Sequence, residues 1–157
     1  MNGTSDALEV RTDVVRLTIR SVANRPGTAA NIFTDLGRLG FLVNSVAQTD
    51  SGDDDCDITL TLTAAQSELA IEHIASHLAN YGASSVVVDW DVALLVIHDV
   101  RAASNPAFIG RVFESLTQAQ VNVEAVSAGP ETITCLVNRP CATAAADAIR
   151  RVLELRR

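Results

Sequence analysis

The residues best placed to do chemistry are Asn24, Arg25, Pro26, Gly27, Thr28 and Ala29, which lie between two apolar runs of different period. Pro26 fixes φ and Gly27 permits φ > 0, so the chain turns sharply there. A turn that opens a helix aims unpaired backbone N–H groups at whatever lies above the end of the preceding strand. Such donors suit an anion, and the carboxylate of a small ligand is the simplest one. An ordinary strand-to-helix connection has the same pattern, so the loop alone does not establish a site.

Other chemistry is weaker. His73 and His77 are spaced to chelate a metal from one helix face, but no third ligand accompanies them, and a solvated face is expected. Asp53-Asp54-Asp55 lacks the spaced ligands and closing Glu of a calcium loop and reads as an acidic turn. Cys56, Cys135 and Cys141 are odd in number and form no CxxC, which points to reduced thiols and a cytoplasmic setting. No Ser-His-Asp or Cys-His set assembles from neighbouring segments. An enzymatic reading would have to draw on Arg20, His98, Asp99, Arg101, Glu124 and Cys135 around a freed cleft. The expectation is therefore no catalytic residue, no metal and no cofactor.

The elements that must position the loop are legible from periodicity. Val15, Leu17 and Ile19 alternate with Arg16, Thr18 and Arg20, a strand over 14–20. Ala29, Ile32, Phe33, Leu36 and Leu39 recur at helical spacing, and Gly40 ends that helix. A strand over 41–48, a turn over 50–55 bent at Gly52, and an alternating strand over 57–63 follow. A helix over 64–81 is expected to bury Leu69, Ile71, Ile74 and Leu78. A strand over 85–89 closes the first half.

The unit then repeats. Pro26, Phe33, Leu36, Val43 and Val46 recur as Pro106, Phe113, Leu116, Val123 and Val126, each 80 residues later. The second half reads as a strand over 92–98, a loop over 101–105, a helix over 106–118 capped by Ser104 or Asn105, strands over 121–127 and 132–137, and a helix over 141–155 with Ile149 and Val152 inward. The first half is β-α-β-β-α-β, the ferredoxin-like order, an antiparallel sheet with helices on one face. The second half lacks its last strand, and the short strand over 8–11, after a frayed start over 1–7, is the spare one. The expected division is 14–90 and 91–157, the latter completed by 7–13.

Of the 157 residues 48% are hydrophobic and only 4% aromatic, so small aliphatic side chains must fill the core. A net charge of −7 argues against a nucleic-acid surface or an anionic membrane as partner. No run reaches transmembrane length, and the polar start is not that of a signal peptide.

At residues 15–33, Val-Arg-Leu-Thr-Ile-Arg-Ser-Val-Ala-Asn-Arg-Pro-Gly-Thr-Ala-Ala-Asn-Ile-Phe resembles the opening of the first ACT domain of aspartate kinases, which usually reads Asp-Lys-Pro-Gly. Cys-Asp-Ile-Thr-Leu-Thr at 56–61 and Val-Asn-Val-Glu-Ala-Val-Ser at 121–127 resemble strands of the first and second ACT domains. The similarity runs from about residue 14 to 155. No kinase domain or nucleotide-binding segment accompanies it, so the chain resembles the separate regulatory (beta) subunit or a stand-alone paralogue.

That resemblance implies an α+β fold of two ACT domains in tandem, with an aspartate-derived amino acid, lysine or threonine, held at an ACT–ACT interface. It implies an aspartate kinase catalytic subunit as a candidate partner; the exposed edges of ferredoxin-like sheets and the apolar residues on both faces of 41–48 and 121–127 predict a homodimer. Carried over, Asn24 stands for the Asp that meets the ligand's ammonium, and Arg25, Pro26, Gly27, Thr28 and Ala29 hold its carboxylate. Asn44 replaces a second Asp and Gln48 matches a family Gln; Asn122, Glu124 and Ser127 match in the second repeat. Asp-to-Asn changes at 24 and 44 remove two charges that would favour a cationic ligand, so a neutral one fits better. Asn105-Pro106-Ala107 with bulky Phe108 and Ile109, and Gly129-Pro130-Glu131, mark a rebuilt second loop. The alternatives are a diverged ACT-fold protein repurposed as an enzyme or as a binding protein of specialised metabolism, and a purely structural partner.

Overall fold

The structure is a computed structural model that describes residues 7–98 and 105–154. Asp99, Arg101, Ser104 and Leu155, considered above, lie outside those residues, as does most of the expected frayed start. The chain divides into two compact units. The inner unit is Asp13–Trp90; the outer unit joins the segment before Asp13 to the chain from Asp91 onward.

The chain begins with β1 (Leu8–Arg11), and the inner unit follows. It runs β2 (Val14–Ala23), α1 (Thr28–Arg38), β3 (Val43–Gly52), β4 (Asp55–Thr63), α2 (Ala64–Ser76), a 3-10 helix (Leu78–Tyr81) and β5 (Ser85–Asp89). Its antiparallel sheet has the order β3-β4-β2-β5. The period-2 pattern explains the packing. Leu17 and Ile19 of β2 and Ile58, Leu60 and Leu62 of β4 are buried with Ile32 and Leu36 of α1. Fully burying one such side chain contributes about 1.5–3 kcal/mol. On the other face of the sheet Thr18 Oγ1 of β2 meets Thr59 Oγ1 of β4 at 3.2 Å, and Ser45 Oγ of β3 meets Thr61 Oγ1 of β4 at 2.8 Å.

The outer unit runs β6 (Val92–His98), α3 (Pro106–Gln118), β7 (Val123–Ala128), β8 (Thr132–Asn138), a 3-10 turn (Arg139–Cys141) and α4 (Ala142–Glu154). Its sheet has the order β1-β6-β8-β7, and Leu8 pairs with Ile97, Arg11 with Leu94. Its core combines Leu95 and Ile97 with Phe108, Val112 and Leu116 of α3 and Ala145, Ala148, Ile149 and Val152 of α4. Both units are thus ferredoxin-like α+β units, the fold class expected from the repeat.

Several local expectations are corrected. β2 runs on to Ala23 through a bulge between Ile19 and Val22, with Ser21 at φ +52°. β3 starts at Val43 rather than 41 and reaches Gly52; Asp53 and Asp54, both at φ > 0, make the turn instead of Gly52. Asp tolerates that left-handed conformation, and two such residues between paired strands form a hairpin turn whose twist matches the strands. The helix expected over 64–81 stops at Ser76; His77, at φ −115°, breaks it before the 3-10 turn. Leu69 is 66% exposed, because α2 meets its sheet through the small residues Ser67 and Ala70 together with Ile74. β7 begins at Val123 rather than 121, and Cys141 belongs to the 3-10 turn rather than the last helix.

Candidate functional site

In the inner unit β2 leads directly into the loop and then α1. Asn24 donates its backbone N–H to the Asp54 carbonyl at 2.8 Å, tying the loop to the β3–β4 hairpin. Gly27 takes the N-cap position of α1 at φ +96°, ψ −20°, a left-handed conformation that costs other residues more. Having no side chain, it makes no cap, and Thr28 N–H is engaged by the Arg25 carbonyl at 3.2 Å. The first-turn donors at Ala29 and Ala30 therefore lie beyond the reach of any intrahelical acceptor. They sit at the positive end of the helix dipole.

A cavity of about 330 Å³ opens at this point. All six loop residues from Asn24 to Ala29 line it, and Gln48 reaches it from β3. Gln48 Nε2 lies 3.5 Å from Asn24 Oδ1, so the two amides stand side by side on the rim. Val22, Cys56 and Ile58 form its inner wall. These three were not read as site residues, although Cys56 and Ile58 share the core phase of β4, which is the signal that could have placed them.

The loop is held by charge. Asp57 accepts the Ser21 N–H at 2.9 Å and Arg20 Nη1 at 2.6 Å, which fixes the bulge two residues before Ala23. The Ser21 N–H, with Arg20 assisting, holds the Asp57 carboxyl below its ordinary range. The Cys56 thiol is pushed up by burial and then by Asp57, Asp55 and Asp50, so it stays protonated and weakly nucleophilic. Arg25 makes no ion pair among the described residues and is the cation of this cavity.

The remaining sequence-derived positions fall elsewhere. Asn44 lies on β3 but does not line the cavity; four residues of extended chain separate it from Gln48 by ~13 Å. Asn122, Glu124 and Ser127 are exposed at or beside β7, the edge strand of the outer sheet. There the second loop differs from the first. Asn105 caps α3 by accepting the Ala107 N–H at 3.0 Å, and Phe108 is 1% exposed inside the core. The donors left open at α1 are partly closed at α3.

No catalytic arrangement emerges among the described residues. His98 Nε2 is 3.5 Å from Glu9 Oε2 on β1, and Arg20 is engaged by Asp57. Burial pushes the Cys135 thiol up to about 11, which leaves it protonated at neutral pH. His73 and His77 lie on a partly exposed face of the helix end. Their rings stack at 4.2 Å, and His77 Nδ1 donates to the His73 carbonyl at 2.8 Å. No convergent metal-ligand group of three is found among the described residues.

Two ferredoxin-like α+β units in tandem, one opening a cavity at the N-terminus of its first helix, define the fold of the chain. The chain resembles the regulatory region of aspartate kinases. It is 26% identical to the aspartokinase of Pseudomonas aeruginosa over 143 residues, 91% of this chain and 35% of that protein. It is 24% identical to the aspartokinase of Thermus thermophilus over 145 residues, 91% of this chain and 36% of that protein. The chain thus spans about a third of the length of the curated relatives it matches. The fold matches the regulatory subunit of aspartate kinase from Thermus thermophilus in its ligand-free form, with TM-score 0.84 and 22% identity, covering 92% of this chain and 96% of that one. It also matches E. coli aspartokinase III in complex with lysine and aspartate, with TM-score 0.67 and 20% identity, over 98% of this chain and 33% of that one. No protein-family model matches the chain.

Proposed function

We propose that this protein is an amino-acid-responsive regulatory protein. It binds a small neutral α-amino acid or related carboxylate in the cavity at the start of α1, where the ligand acts at an interface between paired ACT domains. The observation that carries this reading is the convergence of Asn24–Ala29 and Gln48 around one cavity. Its volume of about 330 Å³ suits a small molecule. The ligand's carboxylate would lie on the Ala29 N–H with Arg25 nearby, and Asn24 and Gln48 would meet its polar groups with neutral hydrogen bonds. The helix end would supply about 1–2 kcal/mol in a partly buried site.

In this reading the ACT domains are 14–90 and 91–157 with 7–13, and the module is cytoplasmic and homodimeric. Asn44, Asn122, Glu124 and Ser127 then belong to surfaces that a partner domain completes. An aspartate kinase catalytic subunit is the partner whose activity it would control, a proposal supported by the resemblance to aspartokinases and by the lysine complex of one structural neighbour.

Calorimetry of the full chain against a panel of free amino acids tests the reading. A neutral amino acid should bind saturably, and Gly27→Val should abolish that binding while circular dichroism keeps the helical content. Asn24→Asp should shift preference toward a cationic amino acid, since a charge-assisted hydrogen bond is about twice as strong as a neutral one. Undiminished binding by Gly27→Val would place the site elsewhere.

A further inference from the structure

The charge around the loop cavity is of one sign. Among the described residues that line it, Arg25 is the only charged side chain, and it makes no ion pair. Asp57, Asp55 and Asp50, which add to the effect of burial on the Cys56 thiol, do not line the cavity. Asp57 is engaged by the Ser21 N–H and Arg20, and Asp50 accepts the Gly52 N–H at 2.9 Å. A positive ligand group entering the cavity therefore meets no carboxylate on its wall.

The hydrogen-bonding groups lean the same way. Gln48 Nε2 donates to Asn24 Oδ1 at 3.5 Å, which engages that carbonyl and leaves the Asn24 amide N–H groups without a partner among the described residues. Arg25 and the Asn24 amide thus present donors, and the Ala29 N–H adds another at the positive end of α1. The ammonium of an amino acid brings only donors and a positive charge of its own. Placed here it would lose water and gain no anion in return. A hydroxyl or keto oxygen on the same carbon carries no charge and accepts from those N–H groups. The wall of Val22, Cys56 and Ile58 is buried and apolar, which suits a short aliphatic side chain.

We infer that the loop cavity selects a small aliphatic carboxylate with an uncharged oxygen at C2, a 2-hydroxy or 2-oxo acid, over the amino acid of the same shape. This rests on the reading of the cavity as the ligand site and narrows the class of ligand it takes. The carboxylate lies on the Ala29 N–H beside Arg25, the C2 oxygen accepts from the Asn24 amide, and the side chain meets the apolar wall.

The test is calorimetry of the full chain at constant ionic strength with two matched sets of probes. One set is alanine, lactate and pyruvate; the other is valine with its 2-hydroxy and 2-oxo counterparts. In at least one set an oxygen acid should bind about fivefold tighter than the amino acid. Arg25→Gln should narrow that gap, and Asn24→Asp, which restores a carboxylate, should reverse the order. Both residues are exposed, so circular dichroism of either variant should match the wild type. An amino acid that binds as tightly as its oxygen acids, or tighter, overturns the inference and leaves the cavity as an amino-acid site. A preference unmoved by both variants, or oxygen-acid binding undiminished in Gly27→Val, also overturns it. Absence of saturable binding by either set at millimolar concentration overturns the reading of the cavity as a ligand site, and this inference with it.

Discussion

Asp57 governs the approach to the loop without lining its cavity. Its carboxylate takes the Ser21 N–H and Arg20, and so holds a non-glycine residue at φ +52° immediately upstream of the loop that lines the cavity. Asp57→Asn keeps the shape but loses the charge. It should lower stability by about 1–2 kcal/mol, chiefly through the hydrogen bond from Ser21. The folded pKa is depressed, so this stability is present above the ordinary Asp value of 3.8 and is lost as pH falls through the lower folded value. Urea unfolding of wild type and variant should therefore differ at pH 7 and converge in strong acid. An equal gap at both pH values would show that Asp57 acts by shape alone. The bulge itself leaves no mark in the sequence: Arg20-Ser21-Val22 simply continues a strand-forming run, and only the cross-strand carboxylate reveals it.

Among the elements, β1 carries an unusual share of the outer sheet, since it occupies the edge beside β6 while lying at the far end of the chain. Leu8 is 6% exposed, and the Ala7 carbonyl accepts the His98 N–H at 2.8 Å. Deleting residues 1–12 should uncover the β6 edge and remove Leu8 from the core, a loss of about 1.5–3 kcal/mol from Leu8 alone. Light scattering should show aggregation, and the thermal midpoint should fall; a truncated protein as soluble and stable as the full chain would contradict this. Elements with strict alternation were readable in advance, β4 above all, because Ile58, Leu60 and Leu62 leave no choice of face. α2 was not. Its buried stripe runs through Ser67 and Ala70, so counting large apolar residues put Leu69 inside when it faces solvent. The loop and its cavity were legible because Pro26 and Gly27 punctuate two clear periodicities. The wall formed by Val22 and Cys56 was hidden in what looked like ordinary core.

At the scale of the molecule, β3 and β7 are the corresponding edge strands of the two sheets, and both are mostly exposed along their length. Val46 is 52% exposed and its repeat partner Val126 is 48% exposed. Natural edges are usually blunted by charge, proline or a covering segment, and apolar side chains on an open edge favour pairing with another chain. A dimer is the expected species by sedimentation at micromolar concentration, and Val46→Lys should shift it toward monomer. A wild-type monomer under the same conditions would count against the paired-domain reading of the binding site.

The placement of β1 also changes how the two halves are related. Within the inner unit the first and last strands are neighbours, Arg16 lying opposite Asp89, so the two ends of that unit lie side by side. Were it removed, β1 and β6 would become the two arms of one antiparallel hairpin, with Arg11 already opposite Leu94. The outer half is therefore a circular permutant of the inner half, its fourth strand moved to the front, with the inner half inserted where the old ends were joined. A polypeptide built this way completes its interior domain from one unbroken segment, and that domain's closure draws together the ends its host needs. Closing the loop between Leu8 and Ile97 then costs far less chain entropy than their separation in sequence suggests.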